Sequence, residues 1–397
     1  MALSEPLIVG PDRHGRRVAI VDGLIAAAPI ENAKVLSCAE GEISVGNVCA
    51  HTHLYSGLAR YGMPAASPAP ENFLQILDRV WWRLDRALDA DALRASAMDY
   101  VARALLAGTT SIVDHHESPN LIEGSLAILA DACEQLGIRA LLCYGATERN
   151  FGHGEAERGL AECRGVPPSR TVRGLIGLHA SFTVSDATIR DAGELARELG
   201  TVVHVHVAED QADVEDAQLR GYVGPVERLE KLGALPQGSI LAHGVHLSRA
   251  QVEHTAELSC WLVQNPRSNE GNKVGYAQNL RYAKTVALGT DGWSGDMAEE
   301  EAALFRIAKQ HGDDDAPQRL ARGHTLIAER FGSVAEPFAA GGLGDLVVRE
   351  NGQVRHVVVG GRIVVQDGRL TGGDINEILA GAQDQASRLW SRMAAVR

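Results

Sequence analysis

The apolar run Val48-Cys49-Ala50-His51-Thr52-His53 ends in two histidines that are separated by a single residue. On a β-strand, the side chains of residues i and i+2 point to the same face, so His51 and His53 would direct two imidazoles at one point. Two converging neutral imidazoles are a common beginning of a binding site for zinc or a similar metal. Because a His-x-His pair also occurs by chance on solvated strands, the interpretation depends on where the other histidines and acidic residues fall.

An alternation of strand-like runs and helical segments fills the middle of the chain. Eight apolar runs are predicted as strands: Gly46–His51, Ser111–His115, Arg139–Tyr144, Gly174–His179, Val202–Val207, Ser239–His243, Cys260–Gln264 and Thr285–Gly289. Helical patterns follow most of them: Asn72–Leu88 with Leu93–Leu106, Leu121–Leu136, Ala187–Leu199, Val226–Leu232 and Arg249–Leu258. Near-continuous apolar strands joined by helices indicate a parallel sheet, and eight such units predict an α/β fold with a closed (β/α)8 TIM barrel. The alternative is a doubly wound open sheet, but no Gly-x-Gly-x-x-Gly turn follows the first strand.

Short β-prone pieces separated by Gly, Asp and Pro occupy both ends of the chain. They lie within residues 4–46 and again from Gly344 to Val365. We therefore predict a small accessory β domain, one sheet or a β-sandwich, built from residues 1–46 and 340–375. The barrel would span residues 47–339. A last amphipathic helix near Glu377–Met393, within residues 376–397, would pack on the outside.

The composition excludes several classes of partner. The chain has 397 residues and a net charge of −13, which argues against nucleic acid or an anionic membrane surface. No apolar stretch approaches the length of a membrane span, and the N-terminus does not resemble a signal peptide. The six cysteines form no Cys-x-x-Cys pair, so we predict buried free thiols in a reducing cytoplasm. We expect a homodimer, the commonest assembly of soluble enzymes.

Histidines and acidic residues gather at the predicted carboxyl ends of the strands, where such a barrel places its active site. Besides the first pair, these ends carry His115-His116, His179, His204-Val205-His206 with Glu209, His243, and Asp291. His204 and His206 face the same way, and His206 is the better candidate ligand because it lies nearer the barrel mouth. His115 and His116 are adjacent, so at most one points inward. Three imidazoles and the carboxylate of Asp291 would leave one position on a metal for water.

These motifs resemble those of the amidohydrolase superfamily, within its aminohydrolase branch of cytosine, guanine and related deaminases and chlorohydrolases. The matching pieces are ordered as in that family over nearly the whole chain: Ala50–Leu54, Gly108–Ser111, Leu178–Ala180, His206–Glu209, Leu241–Gly244, Asn265–Asn269 and Leu288–Gly292. The segment from Leu54 to Leu88 is similar to the SsnA-type aminohydrolases in particular.

The resemblance implies one divalent metal ion with four protein ligands: His51, His53, His206 and Asp291. It also implies that Glu209 carries the proton and that His243 orients the hydrolytic water, so that Glu209, His243 and Asp291 form the catalytic set. Zinc is the first choice for the metal, while iron(II) or manganese(II) could bind the same donors. His179 stands where relatives with two metal ions have a bridging lysine, which again indicates a single metal.

The implied reaction is the hydrolytic deamination of a small nitrogen heterocycle or an amidine-like compound. A metal-activated water attacks an sp2 carbon, and ammonia leaves. Hydrolysis with another leaving group, such as chloride, an alkylamine or the amine of an amide, stays open because only the pocket would differ. A non-catalytic relative is a third hypothesis, but all four predicted ligands and both further catalytic groups are present. The only partner that either reaction requires is a small-molecule substrate.

Substrate contacts are predicted at four positions: His179, Gln264, Trp82 and Arg60. Gln264 precedes Asn-Pro where the family usually has His, so a contact near the substrate is expected to differ. Trp82 lies in the long segment after strand one and is either a core residue or a stacking surface. His179 bonds either the substrate or the strand-five histidines. Arg60 opens the loop that follows strand one, and Glu270–Val274 departs from the family's apolar-basic run.

Overall fold

The structure is a computed structural model that describes residues 5–28 and 30–396. Its strands, in chain order, are β1 Leu7–Val9, β2 Val18–Val21, β3 Leu24–Ile25, β4 Lys34–Leu36, β5 Glu42–Val45, β6 Asn47–Thr52, β7 Thr109–His116, β8 Arg139–Ala146, β9 Val172–Gly174, β10 Ile176–Ala180, β11 Val203–Val207, β12 Ile240–His243, β13 Trp261–Gln264, β14 Val286–Leu288, β15 Leu346–Glu350, β16 Gln353–Val359, β17 Arg362–Gln366 and β18 Arg369–Leu370.

The helices, in chain order, are α1 Phe73–Ile76, α2 Trp82–Ala87, α3 Ala90–Ala107, α4 Ser125–Leu136, α5 His153–Arg164, α6 Asp186–Leu199, α7 Gln211–Leu219, α8 Pro225–Lys231, α9 Arg249–Glu257, α10 Pro266–Gly271, α11 Met297–His311, α12 Arg319–Phe331 and α13 Ile375–Ala395. A π-helical turn, Leu77–Trp81, joins α1 to α2. Short 3-10 helices lie at Leu54–Arg60, Ser181–Thr183, Gln278–Tyr282 and Ala316–Gln318.

The central sheet is a closed barrel of parallel strands. Its eight members in the described chain follow the order β6, β7, β8, β10, β11, β12, β13 and β14, with β9 paired to β8. Thr52 and Asp291 form a bridge between the first and last strands. The backbone N–H groups of Thr290 and Asp291 donate to the carbonyl of His51 over 2.9 and 3.1 Å. The predicted TIM barrel is confirmed, and each of its eight strands begins and ends within two residues of the predicted bounds.

Local chemistry sets the bounds of the elements that carry the site. Asp89 precedes α3, and its side chain accepts a hydrogen bond from the N–H of Ala92, which satisfies a free donor of the first turn. Gly108 ends α3 with a φ of +89°, a conformation that favours glycine. The chain then enters β7 directly, and every residue of that strand is buried. Burial on both faces explains why the barrel strands read as continuous apolar runs.

Within the described residues, two accessory sheets flank the barrel. The first has the order β3-β2-β1-β4, and the second has the order β18-β17-β16-β15-β5. The second contains strands from both ends of the chain, through antiparallel pairing of β5 with β15. The first is connected to the C-terminal part by an isolated bridge between Leu24 and Leu343. Both sheets contribute to one apolar cluster, with Ile20 from the first sheet and Val358 from the second. The predicted domain boundaries near residues 46, 340 and 376 stay predictions.

The last helix packs on the outside of the barrel against α3 and α2. The indole N–H of Trp390 donates to the carbonyl of Tyr61 over 3.0 Å, and Nε of Arg392 donates to the carbonyl of Ala87 over 2.9 Å. The helix is two residues longer at each end than the sequence predicts.

All six cysteines are buried and free, as the sequence predicts. Across residues 5–28 and 30–396, no helix has both the length and the apolar character that crossing a membrane would require.

A buried ion pair joins the barrel to the second accessory sheet. Nε of Arg139, the first residue of β8, lies 2.7 Å from Oδ2 of Asp345, and Nη2 lies 2.9 Å from Oδ1. The N–H of Gly360 donates to the same carboxylate over 2.7 Å. The side chains of Arg139 and Asp345 are only 3% and 8% exposed, so each charge depends on the other.

Replacing Asp345 with Ala should therefore destabilise the protein strongly. The buried guanidinium of Arg139 would lose its counter-charge, and we expect the free energy of unfolding to fall by about 3–5 kcal/mol. Urea titration followed by circular dichroism measures this loss. The matched control is Glu123→Ala, which breaks a half-exposed pair with Arg158 and should cost no more than about 1 kcal/mol. Equal losses in the two variants would contradict a special role for the buried pair.

Candidate active site

Imidazoles and one carboxylate converge at the carboxyl end of the barrel. His51 and His53 come from the end of β6, His206 from β11, His243 from the end of β12, and Asp291 follows β14. Nε2 of His53 lies 2.8 Å from Oδ1 of Asp291 and 3.3 Å from Nε2 of His206. One potential ligand atom each from His51, His206, His243 and Asp291 lie within 4.8 Å of one another. The structure thus brings together the predicted ligands and His243.

Backbone carbonyls of neighbouring strands orient two of these rings. Nδ1 of His206 donates to the carbonyl of His179 over 2.6 Å. Nδ1 of His53 donates in the same way to the carbonyl of His115. Because a carbonyl can only accept, Nδ1 carries the proton in both rings. Nε2 is therefore the atom that each ring turns toward the centre of the cluster, and it is the atom that can bind a metal.

The other two rings are also held at Nδ1. Nδ1 of His51 lies 3.0 Å from Nε2 of His204, and Nδ1 of His243 lies 2.9 Å from Oδ1 of Asn269. Within the described chain, the buried Nε2 atoms of His51 and His243 have no hydrogen-bond partner. Their nearest carboxylate oxygens, on Asp291 and on Glu209 respectively, are each 3.4 Å away. A cation at the centre would give both lone pairs a partner, so this donor set fits a divalent metal.

The remaining strand-end histidines lie deeper or face away. His204 is fully buried beneath His51, as expected for a lower layer of the barrel. His115 points toward the cluster, with its ring centre 4.4 Å from that of His206. His116 turns the other way and hydrogen-bonds the hydroxyl of Ser118 over 2.7 Å. Only one of the two adjacent histidines therefore points inward, as alternation on a strand requires.

Burial and neighbouring charges shift the pKa values of the clustered side chains in different directions. Burial would lower the pKa of His53, but the hydrogen bond and charge of Asp291, with the charge of Glu117, raise it to about 9. Burial lowers the pKa of His51 to about 3, opposed by the nearby carboxylate of Asp291. Burial would raise the pKa of Asp291, but the neighbouring imidazoles of His51 and His53 hold it well below its usual range. Asp291 is therefore an anion at neutral pH.

Glu209 lies beside this cluster, two residues beyond the end of β11. Its Oε2 is 3.4 Å from Nε2 of His243, and its Oε1 accepts a hydrogen bond from Nδ2 of Asn272 over 3.2 Å. Burial raises the pKa of Glu209 to about 7, opposed by the charge of His243 and reinforced by that of Asp291. A carboxyl group with such a pKa can both take up and release a proton near neutral pH.

Three strand ends at the site have strained backbones. Ala208, His243 and Asp291 adopt φ values of +52°, +79° and +52°. The left-handed region costs a residue with a Cβ atom roughly 1–2 kcal/mol, so the surrounding contacts must hold these turns. The N–H of Ala208, for example, donates to the buried carboxylate of Asp213 over 2.7 Å. Such strain clusters at functional sites in many proteins.

A cavity of about 700 Å3, including its open mouth, leads to the cluster. Its apolar wall is formed by Tyr55, Phe73, Leu77, Trp81, Trp82 and Phe182. Of the four predicted substrate contacts, His179 and Trp82 line this cavity, with their ring centres 6.3 Å apart. Gln264 is fully buried, and its carbonyl oxygen accepts a hydrogen bond from Arg319. Arg60 is exposed and lines a neighbouring cavity. The structure therefore does not bring Gln264 and Arg60 to the cluster.

The sequence prediction missed several charged residues near the cavity. Glu117 lines the cavity and accepts a hydrogen bond from Nδ1 of His115 over 2.7 Å. It follows directly after β7, so the argument applied to the other strand ends could have found it. Asp85 also lines the cavity, and its carboxylate pairs with the buried Arg149 over 2.9 Å. The Arg149 guanidinium lies 4.7 Å from the ring centre of Trp82. Asp85 lies in α2 and Arg149 lies in a loop, so neither has the strand-end position that identified the other site residues.

Curated relatives of similar length are deaminases by name. The chain is 27% identical to the 5'-deoxyadenosine deaminase of Methanopyrus kandleri, over 88% of this chain and 87% of that protein. It is 25% identical to the 5-methylthioadenosine/S-adenosylhomocysteine deaminase of Aquifex aeolicus, over 97% of each chain.

Solved structures share the fold. An adenosine deaminase from Xanthomonas campestris with bound zinc superposes with a TM-score of 0.77 at 22% identity, over 97% of this chain and 98% of the other. Atrazine chlorohydrolase from Arthrobacter aurescens, complexed with zinc, gives 0.75 at 19% identity, over 96% and 100%. The sequence profile of the amidohydrolase family matches residues 43–364, a range that includes all the barrel strands and the whole histidine cluster. The chain therefore belongs to the amidohydrolase family.

Proposed function

We propose that this enzyme is a metal-dependent hydrolytic deaminase of amino-substituted nitrogen heterocycles, with 6-aminopurine nucleosides as the first substrate class. The predicted reaction type agrees with the names of the curated relatives, which are deaminases of 5'-deoxyadenosine and of 5-methylthioadenosine and S-adenosylhomocysteine. One observation carries the proposal. Imidazole Nε2 atoms and the Asp291 carboxylate converge beside a half-buried glutamate, Glu209, at the inner end of a single cavity.

We assign the metal to four ligands: His51, His53, His206 and Asp291. The support is their mutual proximity and the inward lone pairs of their Nε2 atoms. Three imidazoles with one carboxylate suit zinc, and the same donors also accept iron(II) or manganese(II). We propose zinc. The resemblance gives His243 the separate task of orienting the water, although its Nε2 atom also faces the centre.

The chemistry then follows from the positions of the side chains. When bound, the metal supplies Lewis acidity that lowers the pKa of the attacking water. Asp291 and Nε2 of His243 orient that water toward the sp2 carbon that bears the amino group. Glu209 takes up one proton of the water and delivers it to the adjacent ring nitrogen. The second proton of the water, released as the ring carbonyl forms, passes through Glu209 to the leaving amine. Water and the amino heterocycle become ammonia and the ring carbonyl, so atoms and protons balance.

The cavity suits a flat ring. Aromatic walls such as Trp82, Tyr55 and Phe182 offer faces and edges against which a heterocycle can stack. Asp85 and Glu117 add acceptors on the same cavity lining. A cavity that combines an apolar wall with convergent polar groups is typical of small-molecule sites.

A homodimer in the cytoplasm completes the proposal. Six buried, free thiols suit a reducing compartment. The dimer is supported only by the prevalence of two-fold assemblies among soluble enzymes. Analytical ultracentrifugation of the purified protein tests it directly.

Replacing His206 with Ala should remove the metal. The variant loses an inward Nε2 ligand, and we expect zinc content, measured by elemental analysis after dialysis, to fall from about one ion per chain to less than about 0.2. The control is His324→Ala, on α12, which should keep the wild-type zinc content. A His206→Ala protein that kept its zinc would contradict the ligand assignment.

The wild-type enzyme should release ammonia from 6-aminopurine nucleosides. Adenosine, 5'-deoxyadenosine and 5-methylthioadenosine are compared with 6-chloropurine riboside, and ammonia and chloride are measured in parallel. Chloride release without ammonia release would favour the alternative leaving group. Zinc-loaded protein that releases neither would contradict the proposed function.

Replacing Glu209 with Gln should abolish turnover and leave the metal in place. An amide cannot carry the proton, so we expect kcat to fall at least about 100-fold. Zinc content should stay at the wild-type value because Glu209 is not assigned as a ligand. Glu253→Gln, in an exposed pair on α9, is the control and should behave as the wild type. Unchanged turnover in Glu209→Gln would remove Glu209 from the mechanism.

A further inference from the structure

The carboxylate of Glu209 is contacted at both oxygens. Oε1 accepts a hydrogen bond from Nδ2 of Asn272, the residue that follows α10, over 3.2 Å. Oε2 lies 3.4 Å from Nε2 of His243, on the side of the cluster. The hydrogen bond from Asn272 to one oxygen therefore fixes the orientation in which the other oxygen of Glu209 faces His243. Asn272 itself is half-buried and lines the cavity.

The amide of Asn272 fits this place in one orientation. Its Nδ2 also lies 3.3 Å from Oγ of Ser268, and Ser268 donates its own hydroxyl hydrogen to Oδ2 of Asp291. Oγ of Ser268 is therefore left as an acceptor for Asn272. If the amide were turned over, its oxygen would face two acceptors with no hydrogen between them. The two N–H groups of Asn272 thus connect Glu209 with the Ser268–Asp291 pair.

The segment that carries Asn272 is anchored from its outer side. The N–H of Arg267 donates to the buried carboxylate of Glu300 over 2.9 Å. Glu270 accepts two hydrogen bonds from the guanidinium of Arg306, over 2.9 and 2.6 Å. Glu300 and Arg306 both belong to α11. A helix tied to α11 in this way holds the side chain of Asn272 at a defined distance from Glu209.

The segment Glu270–Val274 supplies both an outer anchor, Glu270, and an inner donor, Asn272. Its residues are therefore explained by what they contact on either side of the segment.

We propose that Asn272 is a positioning residue for Glu209. It donates to Oε1 and thereby keeps Oε2 directed at the reacting atoms, without itself touching the bond that breaks. The inference rests on the proposed function, which gives Glu209 the proton transfer. The experiments below are chosen so that the proposed function and the positioning role of Asn272 can fail separately.

Crystal structures of the zinc-loaded wild type, Asn272→Asp and Asn272→Leu test the positioning directly. Both substitutions keep the size of the side chain and remove the N–H donor. In Asn272→Asp, two carboxylates would face each other, and we expect Oε2 of Glu209 to move by more than about 1 Å from its place near His243. In Asn272→Leu, Glu209 should adopt more than one rotamer. An unmoved Glu209 in both variants would overturn the proposal. The crystal structures need no substrate, so they test the positioning role of Asn272 even if the enzyme deaminates no nucleoside.

Steady-state kinetics give the second measurement. A displaced proton carrier should lower kcat about 10- to 100-fold, while KM changes by less than about threefold. Zinc content and Tm should match the wild type. Asn279→Leu is the matched control, since this half-buried asparagine donates to the carbonyl of Leu247, away from the site.

Each other kinetic result has a definite meaning. A raised KM with unchanged kcat would identify Asn272 as a substrate contact and overturn the positioning role. A fall in zinc content or in Tm that accompanies the fall in kcat would identify a structural role for Asn272 and would also overturn the positioning role. Failure of the wild type to release ammonia would contradict the proposed function alone, and the crystal structures would then decide the role of Asn272.

Discussion

Closure of the barrel between its first and last strands is the constraint on which the site depends. The carbonyl of His51 accepts hydrogen bonds from the N–H groups of Thr290 and Asp291, and the N–H of His53 donates to the carbonyl of Asp291 over 3.2 Å. These backbone bonds bring side chains that are 240 residues apart in sequence into contact. Because the backbone makes the closure, a buried cluster of imidazoles and carboxylates can be held together despite its cost in desolvation.

The barrel strands could be predicted because each is an apolar run buried on both faces, such as Arg139–Ala146. Pairing between distant segments could not be predicted. In the antiparallel pair of β5 with β15, Val45 lies opposite Leu346, and no local sequence pattern predicts a partner 301 residues away. Helices were missed where charged and small residues hide the apolar stripe, as in α5 and α7. The sequence left open whether the accessory strands form one sheet or a β-sandwich, because strand propensity does not tell which strands share hydrogen bonds.

The candidate ligands could be predicted for the same reason as the strands. Alternation on β6 and β11 requires only a period of two, and strand ends meet at one end of a barrel. The partners that orient the rings could not be predicted, since two of them are backbone carbonyls, of His115 and His179, which every residue possesses. Gln264 shows the same limit. The sequence identified the departure from histidine, but the buried Arg319 that bonds its side chain comes from a helix 55 residues further on.

The two acidic residues of the centre illustrate how neighbours, and not residue type, assign chemical roles. Burial acts on both, and alone it would raise both pKa values. Asp291 receives a hydrogen bond from Ser268 and lies beside the imidazoles of His51 and His53, and it stays ionised. Glu209 receives a single one from an amide, faces the charge of Asp291, and has its pKa raised to about 7. A permanently charged carboxylate suits a ligand, whereas one that gains and loses a proton suits a proton carrier. The difference therefore arises from which strand end each residue occupies and from which donors lie beside it.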